Sequence, residues 1–405
     1  MEQGGLLSGK RILLGVSGSI AAYKAADLLR RLTEGGAEVR VAMTRHAAKF
    51  VSSLTFETLS HGPVLYDEFS GRGHGAIGHI EITEGLDLAL VAPATANIIG
   101  KIAAGIADDA LTSALMALEC PLLLAPAMND RMYRNPVLQR NIAVLKECGV
   151  RFIEPGIGSL ACGTMGQGRL ADTDLILQEL FALLAKKDLV GKTVLVTAGP
   201  TREFIDAVRF ISNPSTGKMG YALATAAWDR GAEVILITGP TQLPSPRGVK
   251  MVSVVSAGDM HRAVKEHLDR SHIVIMAAAI SDFKPLQTSD RKIKKEDAAQ
   301  TLQLARTEDI LLELGKTRGK RLLIGFAAET DNIEQNALQK LNDKNLDMIV
   351  VNDLLRSGSG FGSDTNAVTI IDRSGKRTEL PNMPKTAIAA SLMTAISELV
   401  KQQNS

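Results

Sequence analysis

Two serines and a glycine occupy the first strand-to-helix turn that the sequence predicts. Arg11–Val16 has the pattern of a buried parallel strand, and residues 20–34 have the periodicity of an amphipathic helix. Ser17–Ser19 therefore lies at a helix N-terminus, where N–H groups and hydroxyls can bind a phosphate. The turn has neither the dinucleotide fingerprint nor the Walker motif, and Thr44 and Arg45 stand where a dinucleotide site needs an acid. We expect a mononucleotide phosphate here, with a plain structural turn as an equal alternative.

Two asparagines follow the next predicted strands. Leu88–Val91 runs into the turn APATAN, and Leu122–Leu124 runs into APAMNDRMY. Parallel strands bind ligands at their carboxyl ends, so both turns are expected in one crevice. Asn97 and Asn129 are candidate ligand-binding residues on this ground, although each taken alone is more often a helix cap.

A glycine-rich segment, residues 156–170, carries one of the three cysteines, Cys162. Its composition predicts neither strand nor helix. We interpret it as a mobile flap whose thiol has a function, and the alternative is an ordinary surface loop. Cys120 and Cys148 are predicted to pack in the core. An odd number of widely spaced cysteines favours neither a disulfide framework nor a zinc site.

The second half begins as the first does. Residues 189–199 repeat the pattern of residues 7–18, and a buried strand, Thr193–Thr197, leads into AGPTRE. Further on, RFISNPSTGKMG imitates a P-loop but lacks its first glycine, which leaves a helix N-terminus suited to phosphate. Asn213 in this stretch reads by itself as a turn residue before a proline.

A basic loop follows in the second half. Four basic residues lie between positions 291 and 295, with Lys284 upstream, in a chain whose formal net charge is only +2. A solvated charge run is the commoner explanation of such a loop. Lysines on a flexible loop can also gather around the phosphates of a nucleoside triphosphate.

These residues need two sheets to position them. Four more apolar segments predict the strands of a second sheet: Glu233–Ile237, Ile273–Met276, Leu322–Phe326 and Met348–Val351. A hairpin around Ser374 and a helix over residues 385–402 are predicted to follow them. The predicted fold class is α/β, with two doubly wound Rossmann-like domains in tandem, residues 1–188 and 189–405. At 405 residues with 45% apolar composition, each half can bury its own core.

Charge and hydropathy restrict the partners. Forty-six basic and 44 acidic residues give too little net charge for a general affinity for nucleic acid or an anionic membrane. The chain has no run of about eighteen apolar residues and no pattern of a signal peptide, so we expect a cytoplasmic protein.

The motifs of the first half resemble those of the flavin-dependent cysteine decarboxylases. GVSGSIAAYK, the segment Gly78–Glu81, APATAN, PAMNDRMY and ACGTMGQGR occur in this order over residues 6–185. The resemblance implies a flavodoxin-like domain that binds FMN, oxidises the carbon bearing the thiol, releases CO2 and returns the hydride. It assigns His79 as the catalytic histidine, Asn129 as the residue holding the departing carboxylate, and Cys162 as the acid. The FMN-binding positions that it implies are Ser17, Gly18, Ser19, Thr44, Pro93, Thr95 and Asn97.

The motifs of the second half resemble those of phosphopantothenate-cysteine ligases. AGPTRE, RFISNPSTGKMG, AAAISDF, KIKK, GFAAET and KNLD with VVND span Lys192 to about Asp372, and Pro214 stands where other members often have histidine. The resemblance implies that the carboxylate of 4'-phosphopantothenate attacks CTP, pyrophosphate leaves, and cysteine displaces CMP from the acyl cytidylate. Asn213 matches the residue that stabilises the acyl intermediate, Arg209 one tied to the cysteine step, and Lys292 the lysine that meets the triphosphate. The nucleotide contacts that it implies are Ala277, Ala278, Ala279, Asp282, Thr307, Glu308, Asp309, Ile310, Phe326, Lys340 and Lys344.

Together the two resemblances imply a bifunctional enzyme of coenzyme A biosynthesis. Mg2+ is expected to bridge the phosphates, but the sequence does not assign its ligands. The residues alone do not decide whether the nucleotide is CTP or ATP. A homo-oligomer is implied as well, with a trimeric or dodecameric decarboxylase core and dimerised ligase domains.

Two other classes compete with this interpretation. A flavin-binding regulatory protein would have the decarboxylase fold, but we would expect it to lack the histidine, asparagine or cysteine, and all three are present. A tandem dinucleotide-dependent oxidoreductase would suit the fold class alone. The missing glycine fingerprints and strand-end acid count against it.

Overall fold

The chain divides into two compact units, Met1–Ala185 and Lys186–Ser405. The structure is a computed structural model, and it describes residues 7–66, 78–159, 163, 165–294, 301–329, 333–353 and 362–404. Each unit contains its own mixed α/β architecture around one large sheet. The predicted fold class of two tandem doubly wound domains is therefore confirmed.

A parallel sheet of six strands forms the centre of the first unit. The strands are β1 (Arg11–Val16), β2 (Glu38–Met43), β3 (Val64–Leu65), β4 (Leu88–Ala94), β5 (Leu122–Pro126) and β6 (Arg151–Phe152). Their order in the sheet is β3-β2-β1-β4-β5-β6, so the order reverses between β1 and β4. Doubly wound sheets bind ligands at this point.

Helices cover both faces of this sheet. They are α1 (Ala22–Glu34), α2 (Ser53–Ser60), α3 (Gly78–Glu81), α4 (Ala96–Ala103), α5 (Ala110–Met116), α6 (Asp130–Tyr133), α7 (Pro136–Glu147) and α8 (Thr173–Leu184), with a short 3-10 helix at Ala47–Lys49. Alternate residues of β1 enter two different cores, Ile12 and Leu14 one and Leu13 the other. A strand buried on both faces must be apolar throughout, which explains the continuous apolar run of β1.

The glycine-rich segment forms a hairpin, so the prediction of neither strand nor helix there is wrong. Strands β7 (Gly156–Ser159) and β8 (Met165–Arg169) pair antiparallel. The N–H of Met128 donates to the carbonyl of Gly168 at 2.9 Å, and a Cβ at Gly168 would meet the Met128 carbonyl oxygen at 2.2 Å. The glycine is therefore required by the close approach of β8 to the loop after β5. Cys162, between the two strands in sequence, lies outside the described residues.

Eight strands form the sheet of the second unit, and two short ribbons accompany it. The strands are β9 (Thr193–Ala198), β10 (Arg202–Phe204), β11 (Phe210–Ser212), β12 (Glu233–Thr238), β13 (Lys250–Ser253), β14 (Ile273–Met276), β15 (Phe283–Pro285), β16 (Leu304–Arg306), β17 (Leu322–Glu329), β18 (Met348–Asp353), β19 (Thr365–Asp372) and β20 (Arg377–Pro384). The sheet order is β13-β12-β9-β14-β17-β18-β19-β20, with antiparallel pairing only from β18 onwards, while β10 pairs with β11 and β15 with β16. The predicted hairpin around Ser374 is confirmed, and it extends the sheet at one edge.

The helices of the second unit again cover both faces of a sheet. They are α9 (Lys218–Asp229), α10 (Ala257–Leu268), α11 (Ile310–Lys316), α12 (Ile333–Asp343) and α13 (Lys385–Asn404). Val194 and Val196 of β9 enter one core, and Leu195 enters the other. None of the helices in the described part of the chain is long and apolar enough to cross a membrane.

The two described cysteines differ in their surroundings. Cys120 is half-buried, and burial raises the pKa of its thiol. Cys148 is exposed, because it follows the last residue of α7 instead of lying on the buried face of that helix. The prediction of core packing is therefore wrong for Cys148.

Candidate active sites

A cleft of about 690 Å³ opens in the first unit where the strand order reverses. Residues from the turn after β1, the end of β2, the start of α4 and the loop after β5 line it. Six of the seven predicted FMN-binding residues are among them: Ser17, Gly18, Ser19, Thr44, Thr95 and Asn97. The structure thus assembles in one cleft residues that are up to 80 positions apart in the chain.

The hydroxyl of Ser17 joins the ends of β1 and β4. Its Oγ donates to the Pro93 carbonyl at 2.7 Å and accepts from the Thr95 N–H at 3.0 Å. Ser17 is 1% exposed. Pro93, the seventh predicted residue, is buried and contributes this carbonyl without lining the cleft. Thr95 also caps α4 by accepting from Ile98 N, so this network sets the position of a helix N-terminus at the cleft.

Residue 18 must be a glycine, because it lies too close to the loop after β2 for a side chain to fit. A Cβ at Gly18 would lie 2.5 Å from the Cβ of His46. The Thr44 hydroxyl accepts from the Ala47 N–H at 3.2 Å, which fixes the start of that loop. These contacts bring the polar turn after β1 and the end of β2 to the same wall of the cleft.

An ion-pair cluster lines another part of the cleft, and the sequence did not single it out. Lys101 Nζ contacts Asp108 at 2.5 Å and Asp109 at 2.9 Å. Burial acts to lower the pKa of Lys101, but hydrogen bonds to these carboxylates raise it above its ordinary value. Burial likewise acts to raise the pKa of Asp109, and hydrogen bonds from Thr112 and Lys101 lower it. The only sequence signal was the helix cap that Asp109 forms with Thr112 at the start of α5.

Of the three predicted decarboxylase residues, the structure describes Asn129 and His79. Asn129 is the N-cap of α6, where its Oδ1 accepts from Arg131 N at 2.9 Å, and its neighbours Ala127 and Met128 line the cleft. His79 is half-buried in α3 and is not among the lining residues. Cys162 is outside the described residues. The helix-cap interpretation is thus confirmed for Asn129 and wrong for Asn97, which lies inside α4 after the cap Thr95.

The second unit brings Asn213 to the point where its own sheet reverses, between β9 and β14. The Asn213 amide donates to the carbonyls of Ala279 and Ile280, both at 3.2 Å. The Ala279 N–H donates in turn to the Gly199 carbonyl at 2.9 Å. The loops that follow β9, β11 and β14 therefore meet at Ala279.

Two more predicted segments of the ligase site are joined by hydrogen bonds. The N–H of Thr307 donates to the Asp282 carbonyl at 3.0 Å, and its hydroxyl donates to the Ser281 carbonyl at 2.7 Å. Glu308 lies 3.8 Å from Lys284. Residues 281–284 and 307–308, which are distant in sequence, thus form one wall.

Asp309 connects this wall to Lys344, the residue that follows α12. Its Oδ1 caps α11 by accepting from Leu312 N at 3.0 Å, and its Oδ2 lies 2.8 Å from Lys344 Nζ. Burial acts to raise the pKa of Asp309, but the hydrogen bonds from Lys344 and Leu312 lower it. Lys344 N donates to the Lys340 carbonyl, so the two lysines lie one helical turn apart.

Two of the other predicted nucleotide contacts lie on neighbouring strands. Met276 pairs with Gly325, so Ala277, which follows the end of β14, lies beside Phe326 in the middle of β17. Ala278 donates its N–H to the Thr197 hydroxyl at 3.1 Å. Ile310 is buried as a whole residue, only 3% exposed, at the start of α11.

Arg209 and Lys292 are connected through the residue after Lys292. Arg209 Nη2 donates to the Ile293 carbonyl at 3.0 Å, and Lys292 is exposed. Among the residues that the structure describes, no group of three or more His, Cys, Asp or Glu side chains is placed to hold a metal ion.

Comparisons with known proteins match both units. A family model described as Flavoprotein matches residues 2–185, and one described as DNA/pantothenate metabolism flavoprotein C-terminal domain matches residues 189–400. The chain is 50% identical over 401 residues to the coenzyme A biosynthesis bifunctional protein CoaBC of Bacillus subtilis (strain 168), covering 98% of this chain and 99% of that protein. The protein of the same name from Escherichia coli (strain K12) is 41% identical over 404 residues, covering 98% and 99%.

Solved structures with similar sequences each cover about half of the chain. The C-terminal domain of a coenzyme A biosynthesis bifunctional protein CoaBC is 43% identical and covers 54% of this chain and 100% of that chain, with a TM-score of 0.47. A cysteine-to-serine variant of a PPC decarboxylase, complexed with pantothenoylaminoethenethiol, is 36% identical and covers 42% and 96%, with a TM-score of 0.40.

Proposed function

The chain belongs to the family of coenzyme A biosynthesis bifunctional proteins, and from that membership we propose how its two units divide the chemistry. The second unit ligates cysteine to 4'-phosphopantothenate with CTP. The first unit decarboxylates the product, 4'-phosphopantothenoylcysteine, to 4'-phosphopantetheine with FMN. The observation that carries the proposal is the match of nearly the whole chain to bifunctional relatives, with one family model on each unit.

The cleft of the first unit fits a flavin mononucleotide in its donor groups. Ser19 and Thr95 place hydroxyls near the N-termini of α1 and α4, which suit a phosphate, and the Ser17 hydroxyl holds the two turns together. A volume of about 690 Å³ is in the range of cofactor sites. FMN bound here would supply hydride transfer, the two-electron chemistry that oxidation of the carbon bearing the thiol requires.

The protein's own residues bind and protonate the substrate in this proposal. Asn129, oriented by its hydrogen bond to Arg131 N, binds the carboxylate that departs. His79 is the catalytic histidine, and Cys162 donates the proton that completes the thiol product. Pro93 and Thr44 hold the walls of the cleft through the contacts of Ser17 and Ala47.

In the second unit, positive charge and polar groups serve nucleotide chemistry. Lys292, Lys340 and Lys344 neutralise the triphosphate together with Mg2+, while the carboxylate of 4'-phosphopantothenate attacks the α-phosphate and pyrophosphate leaves. Asn213 stabilises the acyl cytidylate until the amine of cysteine displaces CMP. The two hydrogen bonds to the carbonyls of Ala279 and Ile280 support this role, since a side chain that is already held in place does not need to reorient during the reaction.

The setting of the enzyme follows from the same membership. We expect it in the cytoplasm as a homo-oligomer, with a trimeric or dodecameric decarboxylase core and dimerised ligase units. A net charge of +2 supports small-molecule substrates and neither nucleic acid nor membrane as partners.

One incubation tests the proposal. Purified protein is supplied with 4'-phosphopantothenate, cysteine, Mg2+ and either CTP or ATP, and CMP, AMP and CO2 are measured. We expect CMP and CO2 from the CTP reaction, and release of FMN when the protein is denatured. AMP in place of CMP would contradict the choice of nucleotide, and a folded protein that yields FAD, or binds no flavin even after reconstitution, would contradict the decarboxylase assignment.

A further inference from the structure

The basic segment of the second unit is fastened to the loop between β10 and β11 on both sides of Lys292. Before it, the Ser289 N–H donates to the Ile205 carbonyl at 3.1 Å. After it, the Ile293 N–H donates to Asp206 Oδ2 at 3.2 Å, and the Ile293 carbonyl accepts from Arg209 Nη2 at 3.0 Å. Both main-chain groups of the residue that follows Lys292 are therefore held by the pair Asp206 and Arg209.

The two carboxylate oxygens of Asp206 have separate partners. Oδ1 accepts from the N–H groups of Val208 and Arg209, at 2.8 and 2.9 Å, and closes the local turn. Oδ2 accepts from Nε and Nη2 of Arg209, at 3.0 and 2.5 Å, and from Ile293 N. The Asp206 side chain is fully buried. The Arg209 guanidinium and then the Val208 N–H hold the pKa of this carboxyl well below its usual range, so these hydrogen bonds are charge-assisted at neutral pH.

We propose that Asp206 is a positioning residue of the ligase, which acts by holding residue 293 and so placing Lys292 at the triphosphate of the nucleotide. The proposal rests on the proposed function of the second unit. Lys292 is exposed and directly precedes the held residue, so its main chain is fixed while its side chain is accessible. Fixing the main chain in advance reduces the ordering that a long side chain must undergo when it binds a phosphate. Arg209 shares the task, because its Nη2 bridges the Asp206 carboxylate and the Ile293 carbonyl.

Asp206→Asn separates the two jobs of the carboxylate. The amide oxygen can still accept from Val208 N and Arg209 N, whereas an NH2 group in place of Oδ2 cannot accept from Arg209 or Ile293. Asp259→Asn is the matched control, since Asp259 also accepts a main-chain N–H, from Ser256, and belongs to the cap of α10. Ile293→Pro removes the same hydrogen bond from the segment's side, should Asp206→Asn fail to fold.

The kinetic arm is a double-mutant cycle with Lys292→Ala in the full chain. Asp206→Asn should raise the KM for CTP about tenfold, with a smaller effect on kcat, because uniform binding of the triphosphate is lost. In the Lys292→Ala background the same change should raise KM less than about twofold, since the lysine that it positions is gone. Asp259→Asn should leave KM unchanged. An equal rise in both backgrounds, or no rise in either, would overturn the proposal.

Limited proteolysis tests the clamp, by which we mean the hydrogen bonds that join Asp206 and Arg209 to the main chain of Ile293, and it does not depend on ligase activity. Trypsin should cleave after Arg291 and Lys292 several-fold faster in Asp206→Asn, and in Ile293→Pro after Arg291, than in the parent and in Asp259→Asn, with the sites mapped by mass spectrometry. Unchanged cleavage would overturn the proposal that Asp206 holds this segment, whatever the ligation assay shows. Faster cleavage together with no CTP-dependent product from the parent protein would instead refute the proposed function, and with it the role of Asp206 in nucleotide binding.

Discussion

At the level of single residues, the Ser17 hydroxyl holds the turn after β1 to the turn after β4. It donates to the Pro93 carbonyl and accepts from the Thr95 N–H, and Ser17 itself is almost fully buried. Removing the hydroxyl takes this acceptor from the Thr95 N–H, whereas the Pro93 carbonyl still accepts from the Ser17 N–H at 3.3 Å. A polar group left unsatisfied in a buried place costs about 1–3 kcal/mol. The shape of this end of the cleft therefore depends on this one side chain.

Ser17→Ala should weaken FMN binding about tenfold, which corresponds to about 1.4 kcal/mol. Titration of the flavin-free protein with FMN, followed by flavin fluorescence, measures the dissociation constant. Ser60→Ala is the control, because Ser60 donates to the Gly62 carbonyl in a half-buried turn, is not among the residues that line the cleft, and should leave binding unchanged when replaced. An unchanged affinity in Ser17→Ala would mean that the phosphate does not bind at this turn.

Many of the residues that line this cleft could be predicted from the sequence, and those that could not are placed there by the packing of helices. Ser17–Ser19 and Thr44 follow apolar strands directly, so their place at the carboxyl edge of the sheet follows from periodicity. Lys101 and its partners Asp108 and Asp109 do not follow a strand, and they read as a helix end and a helix cap. Only the packing of α4 against α5 brings their charges into the cleft, and a local pattern does not contain that packing.

At the scale of elements, the hairpin of β7 and β8 connects the Asn129 loop to the segment that contains Cys162. Glycines normally weaken a strand, which is why the composition predicts a loop there. Here Gly166 and Gly168 are required by contact: a Cβ on Gly166 would lie 2.7 Å from the Cβ of Asp130, and Gly168 approaches the Met128 carbonyl more closely still. The contact is with residues about 40 positions away. The sequence therefore shows that glycines are present but not the contact that requires them.

Gly168→Ala should displace β8 from the Asn129 loop and lower decarboxylation by about tenfold or more, because small misplacements of binding groups are costly to rate. CO2 release from supplied 4'-phosphopantothenoylcysteine measures this, and CTP-dependent ligation should be unchanged. Gly156→Ala is the control in the partner strand, where the new Cβ would meet the Arg169 carbonyl at an ordinary 3.7 Å. Full decarboxylase activity in Gly168→Ala would contradict the importance of this packing.

The last helix, α13, is tied to the start of the second unit by a buried ion pair. Asp188 accepts from Arg230 at 2.8 and 2.5 Å and from the Ser397 hydroxyl at 2.6 Å, while Arg230 also donates to Thr394. Burial acts to raise the pKa of Asp188, but the hydrogen bonds from Arg230 and Ser397 lower it below the ordinary 3.8. Because the folded carboxyl has the lower pKa, the pair stabilises the fold above about pH 4 and loses this effect as the pH falls further.

Asp188→Asn should lower the free energy of unfolding of the second unit by about 3 kcal/mol at neutral pH, since Arg230 is left buried without its counter-charge. The variant should also lose less stability than the parent between about pH 5 and about pH 3. Trp228, the chain's one tryptophan, lies in α9 and reports unfolding of this unit by fluorescence.

Asp269→Asn is the control for that experiment, because Asp269 pairs with Arg321 but its side chain is fully exposed. Its removal should change stability by less than about 1 kcal/mol. Equal effects of the two substitutions would mean that the buried pair contributes no more than a surface one.

At the scale of the whole molecule, the sequence predicts two complete α/β sheets and the structure contains them. The opening pattern occurs twice, near residue 7 and near residue 189, and each copy leads into a strand beside which the order of its own sheet reverses. Strand order and the pairing of β19 and β20 onto β18 were not predictable, because sheet neighbours are chosen by long-range packing. Asn213 and His79 lie in different units, so the proposed activities should be separable.

The most direct test assays both half-reactions on two single variants of the full chain. Asn213→Ala should abolish CTP-dependent formation of 4'-phosphopantothenoylcysteine, while CO2 release from supplied 4'-phosphopantothenoylcysteine stays near the parent rate. His79→Ala should do the reverse. Loss of both activities from either well-folded variant, or normal ligation by Asn213→Ala, would contradict the division of one enzyme into a decarboxylase unit and a ligase unit.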